Sequence, residues 1–444
     1  MKSFFIVIDK LSINKYFIWV FTAFLIITLL ISFLLKINLS NLFGVFSYNE
    51  YLLDKGIKTK EGGVVSDLRT HWEYIILLKK DLSNLLNLTL GIDTNLINYP
   101  LHNLIFSQFD FINSLDSYLI SVFTVSFFLP IILYFSLRDR FQVINKSNIA
   151  LICSLVLVLP VFQYSAIWGN NHNTALIFFT LGIFYFNLFV KSNFSNNSRL
   201  IISTIFFSLA CYTKQYYVFF FIFLLIFLFN NLSFKRYILF SIFIFSMSIP
   251  GIYFLILNPL LFYGIRQNTT NFNSSILISA SIMMFYLIPF IIQNLINSYE
   301  DKKFRLISFF DKKLFLISLA TIILCSLNFY YDGKIGGGAF LKLSHFLFDN
   351  HYLVFPAAFL GIYFLLYFSQ NSISNYALVV LLLFTFNTGY FIFQKYFEPM
   401  FYIIFLNFFD KDKIVQSIRK NNYVIIFYYC LYYFISNYIY FLGL

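Results

Sequence analysis

Long apolar stretches alternate with shorter polar connections along most of this chain. The first, YFIWVFTAFLIITLLISFLLK, occupies 16–36, and a polar segment at 37–116 separates it from SYLISVFTVSFFLPIILYFSL at 117–137. A helix needs about 20 consecutive apolar residues to cross the hydrocarbon core of a bilayer, so each stretch predicts a transmembrane helix. Further spans are predicted near 148–168, 174–190, 200–213, 216–232, 237–257, 274–297, 314–330, 352–368, 375–393, 398–409 and 422–441.

The pattern predicts an all-α fold, a polytopic transmembrane helical bundle of about 13 spans, since a chain in lipid must satisfy its backbone internally. Residues 1–444 are expected to form a single integral membrane domain. The segment at 37–116 is interpreted as a long, helical first extracytoplasmic loop. The stretch at 398–409 is short for a span and predicts half of a broken helix.

Composition favours the same class of protein. Hydrophobic residues make up 60% of the chain and charged residues 11%, whereas a soluble domain carries about 25% charged residues. The charged side chains are too few to cover a water-facing surface. The formal charge of +12 does not indicate nucleic-acid binding, because the basic residues are dispersed between the spans. The four cysteines lie in or beside apolar stretches without metal-ligand spacing, which is typical of small core residues.

The positions of Lys and Arg predict the orientation of the chain. With a cytoplasmic N-terminus, most of the 31 basic residues fall in cytoplasmic segments, as the positive-inside rule requires. The first span is too long for a cleavable signal and lacks a small-residue cleavage site, so we expect it to remain as an anchor. The predicted location is the bacterial inner (plasma) membrane. All five histidines fall on the outer side: His71, His102, His172, His345 and His351.

The predicted first loop contains an unusual concentration of charge in GGVVSDLRTHWEYI. Ionisable residues occupy alternate positions there: Asp67, Arg69, His71 and Glu73. The apolar residues that follow are spaced for an interfacial helix, on which Asp67 and His71 would share a face. Two interpretations stay open. In one, Ser66 or Asp67 is an N-cap beside an ordinary Arg69–Glu73 surface pair; in the other, Asp67 is a carboxylate that takes a proton from a hydroxyl group.

A second loop helix, begun by Pro, is predicted in NYPLHNLIFSQFDF, which carries His102. The long early loop with its acidic stretch VVSDLRTHW, followed by many spans with outer polar tracts, resembles the type C glycosyltransferase superfamily, GT-C. The resemblance implies transfer of a sugar from a polyprenyl-phosphate carrier on the outer face, with Asp67 as the catalytic residue. Many family members show two acidic residues where this chain has one Asp. No cofactor is therefore required by the sequence, and a divalent metal ion stays open.

Under this resemblance, other outer polar residues are expected to bind the substrate. The departing polyprenyl phosphate is an anion, so cations should meet it. Lys214 lies between two spans almost without a loop, where a charged residue is costly unless it is functional or reaches the interface by snorkelling. Glu398 is expected to hold a sugar hydroxyl or orient Lys395, with structural ion pairing as the alternative. The predicted substrate-binding set is Arg69, His71, His102, Lys214, Gln215, Arg266, Lys395 and Glu398.

The GKIGGG segment at 333–338 lacks the Gly-Lys-Ser/Thr ending of a phosphate loop. We interpret it as a flexible gate, with Lys342 and His345 behind it. No HExxH motif occurs and the histidines lack metal-site spacing, so no metal-ligating residues are predicted.

The predicted reaction has Asp67 deprotonate an acceptor hydroxyl, which attacks the anomeric carbon opposite the phosphate and inverts its configuration. The partners implied are a polyprenyl-phosphate-linked sugar donor, a lipid-linked glycan, lipid or protein acceptor, and membrane lipids, with no nucleic acid. One alternative is an outer-face polysaccharide polymerase or ligase. Another is a multi-pass lipid or solute transporter or flippase, whose broken helices could be supplied by prolines inside spans: Pro130, Pro160, Pro250 and Pro289.

Overall fold

The computed structural model describes residues 15–42, 63–85, 100–257, 272–300, 310–331, 336–370, 372–386, 392–420 and 422–442. Every regular element in these ranges is a helix. The α-helices are α1 Lys15–Leu42, α2 Gly63–Lys80, α3 Leu101–Ser107, α4 Leu115–Ser126, α5 Phe128–Arg140, α6 Lys146–Ser154, α7 Pro160–Trp168, α8 His172–Lys191, α9 Asn197–Thr213, α10 Phe219–Asn231, α11 Phe234–Leu257, α12 Phe272–Glu300, α13 Lys312–Ser326, α14 Gly338–Phe348, α15 Val354–Phe368, α16 Ile373–Phe384, α17 Met400–Phe408, α18 Lys411–Ile418 and α19 Tyr423–Leu442. Short 3₁₀ turns lie at Leu155–Val158, Gln215–Val218 and Gln394–Tyr396.

The all-helical prediction is confirmed for these residues, and several helices are suited to a membrane. Four are long and apolar enough to cross one, namely Leu115–Arg140, His172–Lys191, Phe234–Phe254 and Phe272–Tyr299. A fifth is added if the bent pair Lys146–Val158 and Pro160–Trp168 counts as one span. Shorter apolar helices occupy most of the other predicted spans. The total of about 13 spans stays a prediction, because a full span needs about 20 apolar residues.

The predicted span at 148–168 is broken at Pro160. Its two halves meet at an angle of 62°. Leu159 is extended, with φ −70° and ψ 125°, because the ring of a following proline disfavours the helical region. Pro160 then starts α7 at a position where its missing N–H is not needed. Because of this break, α7 runs in a different direction from α6.

The turn after α7 depends on Gly169. This residue is left-handed, with φ 64°, and an added Cβ would lie 2.8 Å from the Tyr118 ring. Glycine satisfies both the backbone conformation and the close approach. The turn leads directly from α7 into the polar tract that precedes α8.

Helix contacts in the bundle core are close where glycine allows it. An added Cβ on Gly361 of α15 would lie 2.2 Å from the backbone oxygen of Ala280 in α12. On α8, an added Cβ on Gly182 would lie 2.6 Å from the Phe207 ring of α9. Small residues allow helices to approach this closely, against a backbone at Gly361 and against an aromatic ring at Gly182.

Segments assigned by the sequence to the cytoplasmic side contact one another. Lys191 and Asp139 form an ion pair of 3.1 Å, and the Asn148 side chain donates to the backbone oxygen of Lys420 at 3.2 Å. The tracts assigned to the outer side likewise meet around Asp67, as described below. The sidedness relative to a membrane stays a prediction.

The predicted first loop contains α2 and α3, with 43–62 and 86–99 outside the described residues. Because α2 begins at Gly63, Asp67 lies in its second turn, and the N-cap interpretation of Asp67 is wrong. Leu68 and Ile75 of α2 are fully buried in the main core. The helix α3 follows Pro100, as the sequence predicts.

Candidate functional site

Asp67 is held by two residues from the region of the broken span. Its Oδ2 accepts a hydrogen bond of 2.7 Å from the Tyr164 hydroxyl on α7. The same oxygen accepts one of 3.1 Å from Asn170 Nδ2, beyond the Gly169 turn. Asn170 Oδ1 accepts from the backbone N–H of His172 at 3.3 Å, so its amide nitrogen is the atom turned to the carboxylate. Asp67 is partly buried and fixed in orientation.

Lys214 belongs to the same site. It is the C-cap of α9, with an extended backbone at φ −144° and ψ 111°, and only 7% of its surface is exposed. Burial lowers the pKa of Lys214 from 10.5 to about 7, while the Asp67 charge raises this pKa and the Lys395 charge lowers it. The carboxylate and the two amines therefore interact electrostatically at one place.

Lys395 approaches the site from the opposite end of the chain. It lies on the 3₁₀ turn Gln394–Tyr396 and is half-buried. Its Nζ lies 5.8 Å from the centroid of the Tyr164 ring and 5.2 Å from that of Phe393. These distances are within the range of cation–π contacts. Tyr164 is thus the shared neighbour of Asp67 and Lys395.

His71 lies one helical turn after Asp67 and faces the same cluster. Its Nδ1 lies 2.8 Å from Asn103 Oδ1, and because an amide oxygen only accepts, Nδ1 carries the proton in this assignment. Burial is the main cause that lowers the pKa of His71 to about 4, followed by the charge of Lys214. The ring is therefore neutral near pH 7, with Nε2 as its basic nitrogen.

His102 is a packing residue in this structure. Its Nδ1 lies 2.9 Å from Thr174 Oγ1 and its Nε2 lies 2.7 Å from the Tyr118 hydroxyl. Since Tyr118 donates its proton to the Gly169 oxygen, Nε2 must donate to Tyr118, and Nδ1 accepts from Thr174. Burial holds the pKa of His102 well below 6.5. Protein groups occupy both ring nitrogens, which does not favour the predicted substrate contact.

Glu398 is buried, with 2% of its surface exposed, and binds protein donors. Its Oε1 accepts from the Val161 backbone N–H at 3.0 Å. Its Oε2 accepts from the hydroxyls of Tyr286 at 2.5 Å and Tyr432 at 2.8 Å. These contacts link three helices and occupy both carboxylate oxygens, so they do not favour a sugar hydroxyl as a ligand; the role of Glu398 in orienting Lys395 stays a prediction.

The remaining predicted residues are only partly described. The helix that carries Arg69 is described but its side chain is not, and Arg266 lies in 258–271, outside the described residues. Gln215 directly follows Lys214 and is half-buried. The roles of these three residues stay predictions.

The glycine segment predicted as a gate is a folded turn over its described part. Gly336, Gly337 and Gly338 all have positive φ, and the Gly337 N–H donates to the Ile392 oxygen at 2.8 Å. The turn starts α14, which carries Lys342 on its exposed face. Residues 332–335 of this segment lie outside the described residues.

A metal site finds no support in the part of the chain described. No three or more His, Cys, Asp and Glu side chains there are grouped to hold an ion. His345 and His351 do pair, with ring centroids 4.6 Å apart. Whether the protein uses a divalent metal ion stays open.

Several residues around Asp67 were not singled out from the sequence. Tyr164, Asn170 and Asn103 supply hydrogen bonds. Tyr396 also lies near the carboxylate, since burial and the Asp67 charge raise the pKa of Tyr396 to about 12. Its ring stacks on Phe386 with centroids 5.2 Å apart. The tract WGNNHNT was the available signal for Asn170, because it is polar between two apolar stretches.

Two open clefts lie away from this cluster. One, of about 560 Å³, lies beside the end of α2, and the other, of about 400 Å³, lies between α5 and α6. Neither is lined by Asp67, Lys214 or Lys395. Comparison with protein-family models, with curated proteins and with solved structures finds no match to this chain. The GT-C resemblance therefore depends on the sequence features quoted above.

Proposed function

We propose that this protein is a membrane glycosyltransferase that moves a sugar from a polyprenyl-phosphate carrier to an acceptor hydroxyl on the extracytoplasmic face. The observation that carries the proposal is the grouping of Asp67 with Lys214 and Lys395. These residues come from three distant parts of the sequence, and the charges of Asp67 and Lys395 both act on Lys214. A base beside two amines suits transfer from a phosphate leaving group, because the base can take the acceptor proton and the amines can stabilise the leaving anion.

In the proposed reaction, Asp67 takes the proton of the acceptor hydroxyl. The acceptor oxygen forms a bond to the anomeric carbon as the bond from that carbon to the phosphate oxygen breaks. The phosphate leaves with the bonding electron pair, and Lys214 and Lys395 stabilise its charge. A single displacement of this kind inverts the anomeric configuration.

The contacts of Asp67 suit a general base. Tyr164 and Asn170 both bind Oδ2, which leaves Oδ1 as the oxygen for the acceptor hydroxyl. Asn170 is itself fixed by the first turn of α8. Fixed orientation of a base lowers the entropic cost of reaching the transition state.

The test is transfer of labelled sugar from a polyprenyl-phosphate donor by the purified protein in liposomes. Asp67→Asn keeps the size of the side chain and removes the base, so we expect a loss of about 100-fold or more. Asp110→Asn is the matched control, because Asp110 is an exposed carboxylate that follows α3. Unchanged transfer by Asp67→Asn with normal expression would exclude the proposed role.

The bent span gives a specific reason to keep the transporter as a second candidate. Broken helices often form the substrate site of transporters, and this one ends beside Asp67. A transporter would move the intact lipid-linked sugar across the bilayer without breaking its glycosidic bond. The same liposomes distinguish the two, because the product is either a new glycoside or the unchanged donor on the other side.

A further inference from the structure

The Glu398 carboxylate joins three separate helices. Val161 is at the second position of α7, where backbone N–H groups have no partner within the helix. No side chain caps that helix from Leu159, and Glu398 Oε1 supplies the acceptor instead. Tyr286 of α12 and Tyr432 of α19 bind the other oxygen. Bonds to a buried carboxylate are stronger than bonds between neutral groups.

The segment that carries Glu398 is fixed at its other end as well. The side-chain oxygen of Gln394 accepts from the Ala339 N–H of α14 at 2.9 Å. Its amide nitrogen donates to the Tyr432 hydroxyl at 3.0 Å. Tyr432 therefore contacts both Gln394, directly before Lys395, and Glu398, three residues after it.

This arrangement links the two sides of the candidate site. Lys395 lies three residues before Glu398, and Tyr164 lies three residues after Val161 in α7. The bond between Glu398 and Val161 thus connects the element that carries the amine to the helix that orients Asp67. Neither side-chain oxygen of Glu398 is left without a protein donor.

We infer that Glu398 is a positioning residue that sets the distance between Lys395 and the Asp67–Tyr164 pair. Its effect on transfer rests on the proposed function, whereas its effect on the position of α7 does not. Glu398→Gln keeps the volume, but its amide nitrogen is unable to accept from the tyrosine hydroxyls. The substitution therefore loosens the link without opening a cavity.

The structural measurement is the distance between spin labels on α7 and α14. Labels are placed at Trp168→Cys and Lys342→Cys in a chain whose four native cysteines are replaced. We expect a narrow distance distribution with Glu398 and a clearly broader one with Glu398→Gln. Glu73→Gln, the same substitution at a half-buried glutamate of α2, is the matched control and should leave the distribution unchanged.

The kinetic measurement uses the same donor in liposomes. Glu398→Gln should lower kcat at least tenfold and change the KM for the donor less than threefold, because the displaced amine acts on the leaving group. Lys395→Met should then cost much less in the Glu398→Gln background than in wild type. A purely structural role would lower activity with the folded fraction and leave the cost of Lys395→Met equal in both backgrounds.

An unchanged distance distribution would overturn the inference, and so would a broadened one with independent effects of the two substitutions. If Glu398→Gln does not fold, Tyr432→Phe removes one donor and is judged by the same criteria. Absence of transfer in the wild-type protein would refute the proposed function alone, because the label distances still decide whether Glu398 fixes α7.

Discussion

The pH dependence of transfer should reveal the electrostatic coupling of the two lysines. Burial is the main cause that lowers the pKa of Lys214 from 10.5 to about 7, which corresponds to about 5 kcal/mol against the charged form at 1.36 kcal/mol per pKa unit. The Lys214 cation is therefore present below about pH 7 and lost above it. The perturbation is Lys395→Met, which removes the neighbouring charge that lowers this pKa.

The assay is kcat/KM for the polyprenyl-phosphate donor from pH 5.5 to 9, since kcat/KM reports groups of the free enzyme. In wild type we expect an alkaline limb near pH 7, so that at pH 8 about one Lys214 in ten is charged. Lys395→Met should lower the plateau of kcat/KM and move its alkaline limb to higher pH. Each pH unit of this displacement corresponds to about 1.4 kcal/mol of interaction between the two lysines.

Lys342→Met is the control, because Lys342 is exposed on α14 and is not among the charges that shift Lys214. This variant should keep the wild-type limb. A limb that stays in place or moves to lower pH in Lys395→Met would refute the coupling. A wild-type profile without an alkaline limb would refute the need for a charged Lys214.

Two further predictions concern stability, each measured by thermal unfolding in detergent. Gly361→Ala should lower the free energy of unfolding by about 2 kcal/mol or more, and with it the midpoint temperature, because the new methyl group would meet the Ala280 backbone; a midpoint equal to wild type would contradict the close contact. His102→Ala should cost about 2–5 kcal/mol through unsatisfied buried hydroxyls, and an equally stable variant would show that its bonds are not structural.

The helical elements were largely predictable because apolar length determines them directly. The predicted span at 174–190 is α8, His172–Lys191, and the one at 274–297 is α12, Phe272–Glu300. The angle at Pro160 was not predictable, since proline permits a kink without specifying its size. The start of α2 at Gly63 was not predictable, because glycine is a poor helix former and gives no start signal.

The candidate site was predictable in its charges and less so in its neutral partners. Asp67, Lys214 and Lys395 are rare charges between apolar stretches, so position alone identified them. Tyr164 is one of 33 tyrosines, and nothing in the sequence distinguishes it from the others. Its contact with Asp67 is seen only in the folded structure. Glu398 is also a rare charge between apolar stretches, but its carboxylate binds protein groups. Its position in the sequence did not reveal these contacts.

The contact between Gly361 and Ala280 constrains how a long-chain molecule could reach the interior. Because no side chain separates the two helices at this contact, we expect α12 and α15 to move together as a rigid unit. If the proposed lipid-linked donor is the substrate, we expect the lateral opening for its tail to form between other helices. The helix α11 is the better candidate, because only 11% of its apolar window is covered by the rest of the protein, and displacing it uncovers little packed surface.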